Sequence, residues 1–200
     1  MLSAYKKILD NVVSKYDSRP VLKGVHYQNG NMVATDSHQL VLFKDVVEDK
    51  NLNVTIDLSN YLPIDISYPE TDQLIPKEHT TQLVFHHLND IKGLVEYLKA
   101  RKKQLVAMTI NDQGLTLRLK ENPYMVYNQG VEWNGEELDI SYNANYLYNA
   151  LVYLDRLAKE QPLEYTGDIL ISFNGDLQPF TVVFGNMTYL VTPVRDIRNY

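Results

Sequence analysis

A chain of 200 residues with 44% hydrophobic and 22% charged residues has the composition of a globular protein, long enough for one substantial core or two small domains. The absence of cysteine excludes a disulfide framework, a thiolate zinc site and a cysteine nucleophile, and it suits a reducing cytoplasm, the expected location. A net charge of −6 argues against the broad basic footprint of a sequence-reading DNA binder, while leaving room for one local basic face, and no apolar run approaches membrane-spanning length.

In chain order, Leu2, Tyr5, Leu9, Val12, Val13 and Tyr16 recur at helical spacing and predict a helix over residues 2–16, ended by Asp17, Ser18 and Pro20. Asp10, and the lack of an apolar core with a cleavage site, make this segment a poor signal peptide. Strands are expected at 21–28, 31–35, 39–43 and 53–58, the first two joined by Asn29-Gly30, a strong hairpin-turn pair. Residues 61–76 hold three prolines and read as an extended connector ending in a domain boundary. Beyond it the pattern predicts a strand at 82–85, a helix at 90–103, strands at 105–110, 115–119, 124–128 and 137–142, a helix at 143–160, and strands at 168–173, 180–184 and 187–191. The order is that of an α+β protein with antiparallel sheets and helices on one face, one helix-plus-strands unit being used three times.

Three segments carry a resemblance. The first is Arg19-Pro20-Val21-Leu22-Lys23-Gly24-Val25 followed by Val33-Ala34-Thr35-Asp36-Ser37-His38-Gln39-Leu40. The second is Tyr68-Pro69-Glu70-Thr71-Asp72-Gln73-Leu74-Ile75-Pro76. The third pairs Leu138-Asp139-Ile140-Ser141-Tyr142-Asn143-Ala144-Asn145-Tyr146-Leu147 with Tyr189-Leu190-Val191-Thr192-Pro193-Val194-Arg195. In this order they resemble the bacterial sliding clamp family, the beta subunit of DNA polymerase III, in a shortened form such as a phage or mobile element would encode. The resemblance implies clamp-like domains. Residues 1–76 would be a truncated middle domain and 77–200 a complete last domain, with the family's first domain absent.

The same resemblance implies a peptide pocket for short glutamine-containing motifs of a DNA polymerase or other replication proteins. Its residues here would be Leu22, Thr35, Ser37, His38, Gln39, Leu40, Pro69, Gln73, Leu74, Leu190, Thr192, Pro193, Val194 and Arg195. Leu22, Leu40, Leu74, Leu190 and Val194 would form the apolar hole, and Pro69 and Pro193 would stiffen its walls. Gln39 and Gln73 stand where the family commonly has arginines, and Thr192 and Val194 replace methionines, which narrows the expected partner range. The family's helices face DNA, and the implied phosphate-facing residues are Lys6, Lys7 and Lys15 on the first helix and Lys92, Lys99, Arg101, Lys102 and Lys103 on the second. A solvated helix face accounts for the same charges equally well.

No catalytic pattern emerges. Thr35-Asp36-Ser37-His38 reads as a turn between strands, His86-His87 lacks metal-ligand spacing, and Glu136-Glu137 reads as solvated. The expectation is a non-enzymatic processivity factor without cofactor or metal that contacts or encircles duplex DNA without sequence specificity as a homo-oligomeric ring. The alternatives are a decoy or adaptor that binds clamp-binding motifs without closing a ring, and a structural protein that has inherited the fold alone.

Overall fold

The computed structural model describes residues 3–194. Its first helix, α1 (Ser3–Val12), ends four residues before the expected 16; it buries Tyr5, Leu9 and Val12 of the expected stripe together with Ala4 and Ile8, whereas Tyr16 is 75% exposed. The residues after it turn back: Pro20–Lys23 form a short 3-10 turn where the sequence predicted strand, because proline at the first position fixes a helical φ and has no ladder amide to give. Strand β1 therefore starts at Gly24 (Gly24–Gln28) and meets β2 (Asn31–Thr35) through Asn29 and Gly30, whose φ values of 53° and 82° are those of a two-residue hairpin turn. Strands β3 (Gln39–Phe43) and β4 (Asn53–Asp57) complete the first group. The connector then runs without regular structure except for a 3-10 turn at Asp72–Leu74.

The second group contains β5 (Thr81–Phe85), α2 (Lys92–Lys99), β6 (Leu105–Asn111), β7 (Gly114–Leu119), β8 (Val126–Gln129), β9 (Glu132–Gly135) and β10 (Leu138–Asn143). The third contains α3 (Ala144–Leu151), α4 (Leu154–Glu160), β11 (Ile169–Phe173), β12 (Phe180–Phe184) and β13 (Met187–Val191). The two later helices differ from expectation as well. The helix at 90–103 is shorter, and Arg101, Lys102 and Lys103 lie in the turn beyond it; Arg101 folds back to give a hydrogen bond to the Tyr97 carbonyl, one of the acceptors a helix C-terminus leaves open. The helix at 143–160 breaks at Val152–Tyr153. The break re-aims α4, burying Leu154 and Leu157 and bringing Glu160 to the start of α1. Strand β9 has no apolar alternation and escaped the sequence reading; its pairing with β5 makes it a strand.

All pairing is antiparallel. One sheet has the order β4-β1-β2-β3-β13-β12-β11-β5-β9 and the other β10-β6-β7-β8. β3 pairs with β13 in the register Leu40 to Leu190, so one continuous sheet joins strands from both sides of the expected boundary near residue 76. The helices pack in a row in which α3 touches both α2 and α1, and α1 also touches α4. They cover one face, where a single apolar core runs from Ile8 and Val41 through Leu98 and Met108 to Phe184. Glu160 accepts hydrogen bonds from the Ser3 hydroxyl, Arg156 and the Ala4 amide, and these hold its carboxyl at about 2. The last of these bonds supplies an acceptor to an α1 amide that its own helix cannot satisfy.

Candidate functional site

Strand alternation sorts the expected pocket residues onto two faces of the large sheet. Val41 and Phe43 point into the helix-side core, and Leu40 and Leu42 point outward. On the outer face Leu40, Leu190, Leu22, Val33, Leu42 and Tyr68 form a second apolar cluster, with Val21 and Ile75 packed against it. Three chain segments far apart in sequence thus meet where β3 joins β13. Tyr68 closes the cluster on one side and stacks its ring on His26 at 4.8 Å between centroids. Burial raises its hydroxyl pKa, so it stays neutral.

Leu22, Leu40 and Leu190 are buried, so they form a floor rather than the open hole expected from the sequence. Thr35 is buried beside Leu40, its hydroxyl bonded to the Gln39 carbonyl at 2.8 Å. Next to the floor, accessible apolar surface is offered by Leu74, 49% exposed and adjacent to Ile75 of the cluster, whereas Val194, 36% exposed, lies with Ile140 and Leu177 beside β10. Pro69 and Gln73 are exposed on the connector, and Pro193 is half-buried. Thr192 binds the turn before β3, with its amide and hydroxyl both donating to the His38 carbonyl at 3.0 and 2.8 Å. Val194 leaves this region and donates its amide to Ser141 of β10 at 2.7 Å. Arg195 lies outside the described residues.

Gln39 is the correction. Its side chain points to the helix side, away from the outer cluster, because it is one residue from Leu40 on the same strand. There it is 3% exposed and joins four elements: its amide donates to the Asn11 carbonyl at 3.0 Å and to Asp36 at 2.9 Å, and its carbonyl accepts from the Tyr189 hydroxyl at 2.6 Å and the Asn149 amide at 3.4 Å. It pins the junction rather than lining a pocket.

Thr35 to His38 form a tight turn. Asp36 accepts from the amides of His38 and Gln39, Ser37 sits at a φ of 82°, and its hydroxyl accepts from Arg19 at 2.6 Å. The exposed His38 ring stacks on Tyr146 at 6.1 Å. Arg19, Tyr68 and Tyr146 were missed as site residues by sequence reasoning. Tyr68 and Tyr146 stand inside the quoted segments, but no periodic signal separates a tyrosine that lines a cluster from one that merely fills a core.

The basic residues fall into two kinds. Lys7, Lys92, Lys99 and Lys103 are exposed. Lys6 pairs with Asp10 at 3.2 Å, and Lys15 donates to the Asp10 carbonyl at 2.6 Å. Arg101 and Lys102 are half-buried, their cationic groups 3.9 Å from the Tyr97 ring and 3.8 Å from the Tyr148 ring. These two stabilise packing as well as carrying charge.

His86 lies at the far side of the large sheet, between Glu132 on β9 at 2.9 Å and Asp168 beside β11 at 2.8 Å. Its hydrogen bonds to Glu132 and Asp168 raise its pKa to about 9. A folded value above the ordinary 6.5 makes this tie complete below that pH and lost as pH rises through about 9. The thermal midpoint of His86→Gln should therefore fall below that of the wild type near about pH 6 and converge with it above about pH 10. A difference that does not depend on pH would remove the ion pairs from the account.

No family model matches the chain. The chain is similar to bacterial beta sliding clamps along almost its whole length. It is 25% identical to the beta sliding clamp of Bacillus subtilis over 242 residues, covering 94% of this chain and 60% of that protein. To the beta sliding clamp of Streptococcus pneumoniae it is 25% identical over 245 residues, covering 95% and 62%. The chain thus spans less than two thirds of the length of these relatives. The aligned positions also outnumber its 200 residues, so the relatives carry internal stretches that it lacks. Among solved structures, the DNA polymerase sliding clamp of Bacillus subtilis superposes with a TM-score of 0.75 at 22% identity, over 96% of this chain and 62% of that one. The DNA polymerase III beta subunit of Thermotoga maritima gives 0.74 at 17% identity, over 97% and 64%. The fold is that of the sliding clamps.

Proposed function

We propose that this chain is a non-catalytic, sliding-clamp-like replication factor. Its helix face rests on duplex DNA without reading sequence, and its outer cluster takes a short peptide motif of a DNA polymerase or another replication protein. Residues 1–76 act as the shortened counterpart of a clamp's middle domain and residues 77–200 as its last domain. One observation carries the reading: Leu22 and Leu40 from the first of the resembling segments and Leu190 from the third converge on one outer-face cluster at the β3–β13 junction. An apolar floor with a few fixed polar groups at its rim is what a short peptide anchor needs. The likeness to beta sliding clamps along the chain supports a tethering role over that of a decoy. The tether raises the local concentration of its partner, and any chemistry belongs to that partner.

The test is fluorescence polarisation with a labelled peptide carrying glutamine, leucine and phenylalanine. Leu74→Asp changes an exposed side chain next to Ile75 of the cluster and leaves the core intact, so the variant should fold and lose binding by about tenfold or more. Equal affinity in the folded variant would remove this rim from the site.

A further inference from the structure

Residues 63–72 of the connector pass over the outer face of β1 and β4 and bound a cavity of about 510 Å³, a size that ligands and peptide side chains commonly fill. Its floor is polar. His26 and Gln28 of β1 line it beside Thr55 and Asn53 of β4, their partners in the β1–β4 register. Its rim carries Asp65, Glu70 and Asp72, all exposed, and among the described residues that line it there is no lysine or arginine. His26 adds no charge near neutral pH: partial burial lowers its pKa, and its Nδ1 lies 3.0 Å from the Thr55 hydroxyl.

The cavity adjoins the outer cluster. Tyr68 belongs to both: it packs in the cluster with Leu22, Leu40 and Leu190, and it lines the cavity with its ring stacked on His26 at 4° between the planes. His26 in turn stands opposite Val33 of the cluster in the β1–β2 register. Tyr68 is 9% exposed, and its buried hydroxyl, beside the Thr35 backbone, makes no hydrogen bond of normal geometry among the described residues. Buried polar groups without a partner are uncommon, and here one stands in the wall between an apolar floor and an acidic cavity.

Taking the outer cluster as the peptide site, we propose that this cavity is its second subsite and receives a basic residue of the partner's motif, arginine above all, next to the apolar anchor. Charge selects the occupant: three carboxylates with no cation of their own chain lining the cavity attract a basic flank and repel an acidic one. Shape selects arginine. Its planar guanidinium carries five donors and can meet the Glu70 carboxylate and the amide oxygens of Gln28 and Asn53 together, where an ammonium group acts as a point charge. A motif that crosses Tyr68 also brings a backbone carbonyl to the hydroxyl that lacks an acceptor. The apolar anchor then supplies affinity, and the charge of the flank decides between partners that share the anchor.

Fluorescence polarisation on the full chain tests this, with the glutamine-leucine-phenylalanine peptide carrying arginine, glutamine or glutamate on one flank and then on the other. From one flank the arginine peptide should bind about tenfold more tightly than the glutamine peptide at low salt, an advantage that shrinks as salt is added. Asp65→Asn, Glu70→Gln and Asp72→Asn together, all at exposed positions, should erase the advantage and leave affinity for the glutamine peptide unchanged, and Glu70→Gln alone should already reduce it. Glu48→Gln with Asp112→Asn, exposed acids away from the cavity, should keep it. Equal affinity for all three flanks, tighter binding of the glutamate peptide, or an advantage that survives the triple variant would each overturn the subsite and leave the outer cluster in place. Failure of every peptide to bind would instead overturn the outer cluster, and the subsite with it.

Discussion

Gln39→Leu should lower the folding free energy by about 3 kcal/mol, read as a shifted urea midpoint. The size follows from what the substitution leaves behind. Leucine fits the volume but strands the Tyr189 hydroxyl, which is fully buried, together with the Asn149 amide, the Asn11 carbonyl and one oxygen of Asp36. Each stranded buried group costs about 1–3 kcal/mol, and partial relaxation brings the sum down. Tyr189→Phe removes one partner together with its need, and it should cost about 1 kcal/mol. The double variant should lose less than the two singles added, since both act on one network. Because Leu40 and Leu190 lie on the opposite side of the same paired strands, loosening this pin should also weaken peptide binding at the outer cluster. A Gln39→Leu protein within about 0.5 kcal/mol of the wild type would mean that the apolar core alone holds the junction.

Gln39 also shows where sequence reading stops. Most elements were legible, because apolar spacing writes strands and helices directly: α1, the β1–β2 hairpin, β3, β6, β7 and the last three strands stand within a few residues of their expected positions. The outer cluster was legible through resemblance, since Leu22, Leu40 and Leu190 sit in matched strings. What was not legible is direction. Resemblance gave Gln39 and Leu40 to one pocket, whereas a strand must send them to opposite faces. Nor does the sequence distinguish a lysine reaching into water from one laid on an aromatic ring: Lys103 and Lys102 are neighbours, yet only Lys102 lies over Tyr148. β9 was invisible because four residues that include Asn134 and Gly135 carry no pattern, and its strand character comes from β5. The break between α3 and α4 was hidden for the converse reason: the apolar stripe continues through Val152–Tyr153 while the axis turns.

Those differences among the lysines decide which substitutions isolate DNA binding. Replacing Lys7, Lys92, Lys99 and Lys103 together by glutamine should leave the fold intact, as all four are exposed and, among the described residues, only Lys99 has a close acidic neighbour, Glu96 at 3.6 Å. If these ammonium groups neutralise phosphates, association with duplex DNA should weaken by roughly tenfold or more at low salt. The slope of log affinity against log salt should flatten by about 0.9 for each phosphate that is no longer neutralised. Duplexes of different sequence should lose affinity alike, because phosphate contacts position without specifying. Arg101→Gln and Lys102→Gln form the contrasting pair. Each removes a cation packed on a tyrosine ring, so each should lower stability as well as charge, and weaker binding there cannot be read as electrostatics alone. Unchanged salt dependence in the quadruple variant would take DNA off the helix face, while the outer cluster and its peptide would stand unaffected. Flattening of the slope with stability preserved would identify that face as the surface on which the protein slides, since an attraction spread over four flexible lysines and blind to sequence offers no preferred stopping place along the duplex.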